Sequence, residues 1–161
     1  MLDEIMDVLA NLGLVMRDTR AKNMAREWSG LSWGTEQEGF ALSIRAIDQD
    51  RIGVALKNTS AEKVEAALPN WLLFFQVAIT QPDQSLAEIS PYGQGVLETL
   101  QKQKPSLVEF APEEMRTTEI PIGALFQMRL AGECRITVTC PVPRPGSQSI
   151  LHSNELRLVR S

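Results

Sequence analysis

The chain has 161 residues, enough for one domain with a substantial core, and its 43% apolar and 22% charged content is typical of a globular protein. The net charge of −4, the absence of any run of five basic residues and an aromatic content of only 6% argue against a nucleic-acid partner. No stretch approaches the roughly 18 apolar residues of a membrane-spanning helix. Asp3, Glu4 and Asp7 stand where a signal peptide is positively charged, so we expect a cytoplasmic protein without a membrane partner.

Residues 1–32 differ from the rest and are predicted to form an N-terminal helical extension. Leu2, Ile5, Leu9 and Leu12 recur at the three- and four-residue spacing of a short amphipathic helix, which would end near Gly13. A second, solvated helix is expected within residues 19–28. Self-association through the first helix would give a homodimer, and packing of the extension against the following domain is the alternative.

Beyond Gly39 the pattern becomes that of β-strands, with alternating apolar residues bounded by turn signals. The QPDQS segment predicts a turn, PIGALF one helical turn, and the region 94–104 either a short helix or an irregular strand. MRTTEIP has a polar side and predicts an edge strand. The predicted strands lie within FALSIRAI (40–47), RIGVALKN (51–58), WLLFFQVAIT (71–80), MRTTEIP (115–121), RITVT (135–139) and NELRLV (154–159).

The only two cysteines, Cys134 and Cys140, flank the RITVT segment. Their even separation places them on the same strand face as Ile136 and Val138, roughly 20 Å apart. That distance excludes a disulfide between them, and the spacing is not that of a zinc site. We therefore expect two inward-facing thiols in the core.

Several short strands without regular helix–strand alternation predict a mainly β protein, an antiparallel β-sandwich over residues 33–161. WGTEQEGFALSIR, IGVALKNTSAEKVE, VAITQPDQSL and the late segments through SNELRLV follow one another in the order of an immunoglobulin-like domain. The chain resembles bacterial immunoglobulin-like sandwich domains and, more distantly, the intracellular proteinase inhibitors of Bacillus type. The resemblance implies a scaffold with no shared catalytic residue.

No pattern in the sequence indicates catalysis, so we expect a non-enzymatic protein with no cofactor and no metal. His152 is the only histidine, and its neighbour Ser153 would point to the opposite face of a strand, which gives no dyad. The acidic pairs 36/38, 48/50 and 113/114 are expected to be solvated. The GQG at residues 93–95 lacks the following lysine and hydroxyl residue of a phosphate loop.

Binding to another protein therefore remains the leading function, and loops are the favoured sites. The loop 28–39 carries Trp28 and Trp33, and the loop 141–149 carries Arg144. Tyr92, the only tyrosine, lies in the turn-like segment SPYGQG. These four residues are the candidate partner-binding residues.

The favoured form is a small cytosolic inhibitor or immunity-type protein that sterically blocks a toxin or a peptidase. The alternatives are a structural, adhesion or carbohydrate-binding sandwich domain, and a self-associating scaffold.

Overall fold

The computed structural model describes residues 32–161 as a mainly β structure with antiparallel strand pairing. Of the extension predicted at residues 1–32, residues 1–31, including Trp28, lie outside the described residues. No helix of the described part has the length and apolar character needed to cross a membrane. The elements are β1 (Phe40–Ala46), β2 (Ile52–Asn58), β3 (Val64–Leu68), α1 (Trp71–Phe74), β4 (Gln76–Thr80), α2 (Pro91–Gln101), β5 (Ser106–Phe110), β6 (Met115–Ile120), α3 (Ile122–Leu125), β7 (Gly132–Pro141), β8 (Ile150–His152) and β9 (Leu156–Arg160).

Strands β1, β2 and β6 form the first sheet, with β2 in the centre. Alternating apolar residues of β1 and β2 point into the core because strand side chains alternate between faces. Strand β6 pairs with β2 at the edge of the sheet, as MRTTEIP predicts. The inward residues of this sheet are Phe40, Leu42, Ile44, Ile52, Val54, Leu56 and Ile120.

The second sheet is built around β7, which pairs with β4 on one edge and with β8 and β9 along the other. Cys134 and Cys140 are buried, unbonded and on the same face as Ile136 and Val138, so the expectation of two core thiols is confirmed. Burial raises the pKa of the Cys140 thiol to about 12. Residues of this sheet and of the first share one hydrophobic core.

Strands β3 and β5 pair in a small two-stranded sheet that the sequence does not predict. Val64, Ala66 and Leu68 face the core from β3, and Val108 and Phe110 face it from β5. Each strand has only five residues and β3 presents two alanines, so the alternation is too short and too weak to be recognised.

The prediction of one strand across WLLFFQVAIT is wrong in its first half. Asn70 accepts a hydrogen bond from Leu72 N–H at 3.0 Å and begins the helical turn α1, so that strand β4 starts only at Gln76. Trp71 stacks on Phe75 with ring centroids 5.0 Å apart and planes 15° apart. A turn buries these bulky side chains in several directions, whereas a strand would leave one face exposed.

The ambiguous region 94–104 proves to be largely helix α2, which starts earlier than expected. Ser90 Oγ accepts from Gly93 N–H at 3.0 Å, and Pro91 occupies the first helical position, where a missing N–H costs nothing. Gly93, Val96 and Leu100 form the buried face of α2. The helical turn predicted in PIGALF is confirmed as α3.

Asn58, at the end of β2, is a fully buried polar side chain with several partners. Its amide group donates to the carbonyl oxygens of Glu62 at 2.7 Å and of Phe110 and Ala111 at 3.2 Å. Its Oδ1 accepts from the Ser60 N–H and hydroxyl at 3.0 and 2.7 Å. Asn58 therefore fixes the turn that follows β2 and ties it to the end of β5.

We predict that Asn58→Asp lowers the free energy of unfolding by about 3 kcal/mol, because it places a carboxylate among three carbonyl oxygens and removes their donor. Burial raises the pKa of the introduced carboxyl, so the variant's loss in free energy of unfolding should become smaller as pH falls towards about 4. Asn70→Asp is the control, since Asn70 acts as an acceptor at a helix start and aspartate does so equally well. Urea unfolding at pH 7 and pH 4 measures both. Equal stability of the two variants at pH 7 would contradict the role of Asn58.

The buried cysteines provide a second prediction. In the folded protein at pH 8, neither Cys134 nor Cys140 should react with a thiol reagent, because burial blocks access and raises both pKa values. Both should react in urea. Reaction of one thiol in the native protein, counted by mass spectrometry, would show that its strand face is open.

Candidate functional site

Trp33, a predicted partner-binding residue, is half-buried in a segment that lies between the two main sheets. The next residue, Gly34, donates its N–H to Leu42 O at 2.9 Å. A Cβ at Gly34 would lie only 1.7 Å from His152 O, so the backbone here is wedged against the end of β8. The segment around Trp33 is therefore held by packing on both sides.

The two loops predicted to bind a partner contact each other in the structure. Glu38 and Gly39 form a tight turn with positive φ at both residues, and Glu38 is presented towards the loop 141–149. Arg144 Nε donates to Glu38 O at 2.5 Å, and the Ser147 hydroxyl donates to Glu38 Oε2 at 2.6 Å. The Ser147 bond is the main cause that lowers the pKa of Glu38.

Arg144 has further contacts within the molecule. Its guanidinium lies 5.7 Å from the ring centroid of Phe40, 3.4 Å from Ser60 Oγ and 3.8 Å from Glu62 Oε2. These contacts give the residue a structural role in joining loops. A contact between Arg144 and a partner stays a prediction.

Tyr92 lies in the first turn of helix α2, so its assignment to a turn-like loop is wrong. It is half-buried and packs against the hydrophobic core. The structure therefore places Trp33 and Arg144 near the 34–39 segment and Tyr92 on helix α2, which contacts α1 and α3.

An apolar groove of about 270 Å³ lies beside helix α2, and we call it the α2 groove. Among the described residues that line it, Gln76 is the single polar side chain. Ile89 is 41% exposed, and the nearby Leu86 is 65% exposed. The lining consists of Leu72, Leu73, Phe75, Gln76, Val77, Ile89, Gly93, Leu97, Ile120, Leu125 and Phe126.

The close approach of α2 to α3 gives the α2 groove its shape. Ser90 donates its N–H to Leu125 O at 2.8 Å and its hydroxyl to Ala124 O at 2.7 Å. Ile89 and Phe126 form an isolated β-bridge. A Cβ at Gly93 would lie 2.4 Å from Leu125 O, so only glycine allows this contact between the two helices.

A second, wider groove of about 590 Å³ lies between β3 and the proline-rich segment 141–145. Leu68, Leu73 and Phe74 contribute apolar surface, and Arg144 lies at the groove. Arg144 is already bonded to Glu38 and lies close to Ser60 and Glu62. The guanidinium at this groove is therefore largely occupied by other residues of the chain.

His152 and the acids Asp48, Asp50 and Glu114 are not among the residues that line these two grooves. His152 is exposed at the end of β8. Asp48 forms an ion pair with Arg51 at 2.8 Å, Asp50 with Arg160 at 3.1 Å, and Glu114 with Arg116 at 3.1 Å. In the part of the chain that the structure describes, no group of three or more histidine, cysteine or acidic residues is placed to hold a metal ion.

The comparisons with known proteins return nothing for this chain: no family model, no curated protein and no solved structure matches it. The geometry of the chain is therefore the basis for its functional assignment.

The sequence leaves residues 94–104 open between a short helix and an irregular strand, and it does not indicate the α2 groove. The signal was present at Ser90-Pro91, a side-chain cap followed by proline at the first helical position. Val96 and Leu100 follow at four-residue spacing. These features predict the helix, but they do not predict its contact with α3.

We predict that Gly93→Ala lowers the free energy of unfolding by about 2 kcal/mol. The clash with Leu125 should outweigh the gain of about 1 kcal/mol that alanine brings to a helix interior. Gln94→Ala, one residue further on the exposed side of α2, is the control and should change stability by less than about 0.5 kcal/mol. Calorimetric unfolding of the parent and the two variants measures these differences in stability. A Gly93→Ala protein as stable as its parent would contradict the tight contact.

Proposed function

We propose that this chain is a non-enzymatic protein-binding module that uses the α2 groove to block a partner enzyme or toxin sterically. The observation that carries the proposal is the apolar lining of the groove, in which Ile89 is 41% exposed to solvent. Contiguous exposed apolar surface on a small protein is characteristic of an interaction site. The cytoplasm is the proposed location.

The composition of the groove supports a protein partner over a small polar substrate. Its lining offers aliphatic and aromatic side chains and one amide, Gln76. Such a surface binds by burial of apolar area and by shape, as the centre of a protein interface does. Acid–base or nucleophilic catalysis would require ionisable groups directed into the groove.

The charge around the groove supports a basic partner. Glu88 and Glu98 are exposed and adjacent in sequence to the lining residues Ile89 and Leu97. The whole chain has a formal net charge of −4. We propose that the partner presents an apolar contact surrounded by lysine or arginine, since charge of opposite sign increases the rate of encounter.

An immunoglobulin-like sandwich is the proposed architecture. It is supported by the antiparallel sheets with a shared core and by the resemblance of residues 33–160 to bacterial immunoglobulin-like domains. In this scaffold the helical segments α1, α2 and α3 are additions to the sheets and form the binding surface.

The test uses the tagged protein for capture from its source cells, with quantitative mass spectrometry of what co-purifies. Ile89→Asp should lower recovery of the partner at least about tenfold, because it places a charge in an apolar contact. Val159→Asp is the matched control: Val159 is 67% exposed on β9, outside the lining of the α2 groove, and receives the same charge. It should capture the partner like the parent protein.

The captured partner then separates the possible functions. An enzyme or toxin whose activity falls when the parent protein is added, and recovers with Ile89→Asp, supports the inhibitor function. Equal capture by the parent and both variants would show that the partner binds outside the α2 groove. Recovery of the protein alone would favour a self-associating scaffold.

A further inference from the structure

Strand β4 lies at the edge of the second sheet, and its backbone shows which groups face outwards. Val77 of β4 is opposite Val138 of β7. Val138 donates its N–H to Ser153 Oγ and accepts from Ser153 N–H, both at 2.9 Å, on the side of β7 away from β4. Opposite residues of antiparallel strands turn their backbone groups either towards each other or both away. The N–H and C=O of Val77 therefore point away from β7, to the outer edge of the sheet.

The segment that begins to cover this edge leaves it before it reaches Val77. Ala87 donates its N–H to Ile79 O at 2.9 Å. Two residues later the chain has turned to the end of α3, where Ile89 forms its bridge with Phe126. Among the described residues, neither backbone group of Val77 has a hydrogen-bond partner. Val77 and Ile89 both line the α2 groove, so the groove opens where the two segments separate.

We propose that the α2 groove binds an extended segment of the partner, which adds to β4 as a further strand at Val77. The inference rests on the proposed function, because it takes the groove as the partner's binding site and adds the conformation in which the partner binds. In strand addition, an open sheet edge supplies main-chain hydrogen bonds and pockets select alternate side chains. A helical segment satisfies its own backbone groups and would leave those of Val77 without a partner.

The geometry of β4 specifies the side chains of the added segment. Paired residues point to the same face of a sheet, so the residue opposite Val77 points into the α2 groove. That residue, and the one two positions towards Phe75, should be large and apolar. The residues between them share the exposed face of Gln76 and Ala78 and should be polar. The exposed Glu88 beside the groove favours lysine or arginine among them.

The first test selects ligands for the parent protein from a random dodecapeptide library displayed on phage. The selected peptides should alternate apolar and polar residues and carry lysine or arginine. Val77→Pro should weaken their binding at least about tenfold, because proline lacks the N–H that points to the open edge. Pairing with β7 does not use that N–H. Val77→Thr is the matched control, since it keeps the N–H and the shape of valine, and it should bind the peptides like the parent.

Amide hydrogen exchange provides a second measurement, which does not depend on the folding of Val77→Pro. In the free parent protein, the N–H of Val77 should exchange faster than that of Ala78, which points towards β7. A bound peptide should slow exchange at Val77 at least about tenfold. Unchanged exchange at Val77 with peptide bound, or selected peptides with apolar residues at helical spacing, would overturn the proposal.

Ile89→Asp separates failure of this proposal from failure of the proposed function. If the peptides bind Ile89→Asp as they bind the parent, they bind outside the α2 groove, and both proposals fail. If Ile89→Asp loses binding while Val77→Pro keeps it, the groove is the site and only strand addition is overturned. A library that yields no peptide ligand would also contradict strand addition, because an open edge beside an apolar groove should bind a short strand by itself.

Discussion

Asn58 is the polar centre on which the arrangement of the sheets depends. A buried amide must satisfy both its donors and its acceptor, and Asn58 does so with backbone groups from the 60–62 turn and from residues 110 and 111. It therefore joins the central strand of one sheet to the end of another. An apolar residue of similar size would leave three carbonyl oxygens without this donor.

A series of contacts extends from this centre to the surface. Phe110, whose carbonyl accepts from Asn58, packs edge-to-face on Phe40 with ring centroids 5.3 Å apart. Arg144 lies over Phe40 and holds the turn at Glu38. The loops at this end of the molecule are thus fixed by the core. The α2 groove has a different origin, because short helical segments meet there through backbone contacts at Ser90, Gly93 and Leu125.

The sequence predicts those parts of the fold in which alternation is long and one face is polar. Strand β7 shows this best: ten residues keep the period, and the burial of Cys134 and Cys140 follows from it. The prediction fails at Trp71–Phe75, where every residue is bulky and apolar and the period carries no information. The groove lay beyond prediction, since α1, α2 and α3 are separated by long stretches of chain and meet only in the folded protein.

The closed edge of β1 has a consequence for the behaviour of the protein at high concentration. Besides the bond from Gly34 to Leu42, the Asn154 side chain both accepts from Ile44 N–H at 2.8 Å and donates to Ile44 O at 3.1 Å, in the manner of a paired strand. An unpaired strand edge invites another chain to extend the sheet, which is a route to fibrils. Gly34 and Asn154 occupy the Leu42 carbonyl and both backbone groups of Ile44, so the contacts that anchor β1 also leave a further strand fewer groups with which to pair at this edge.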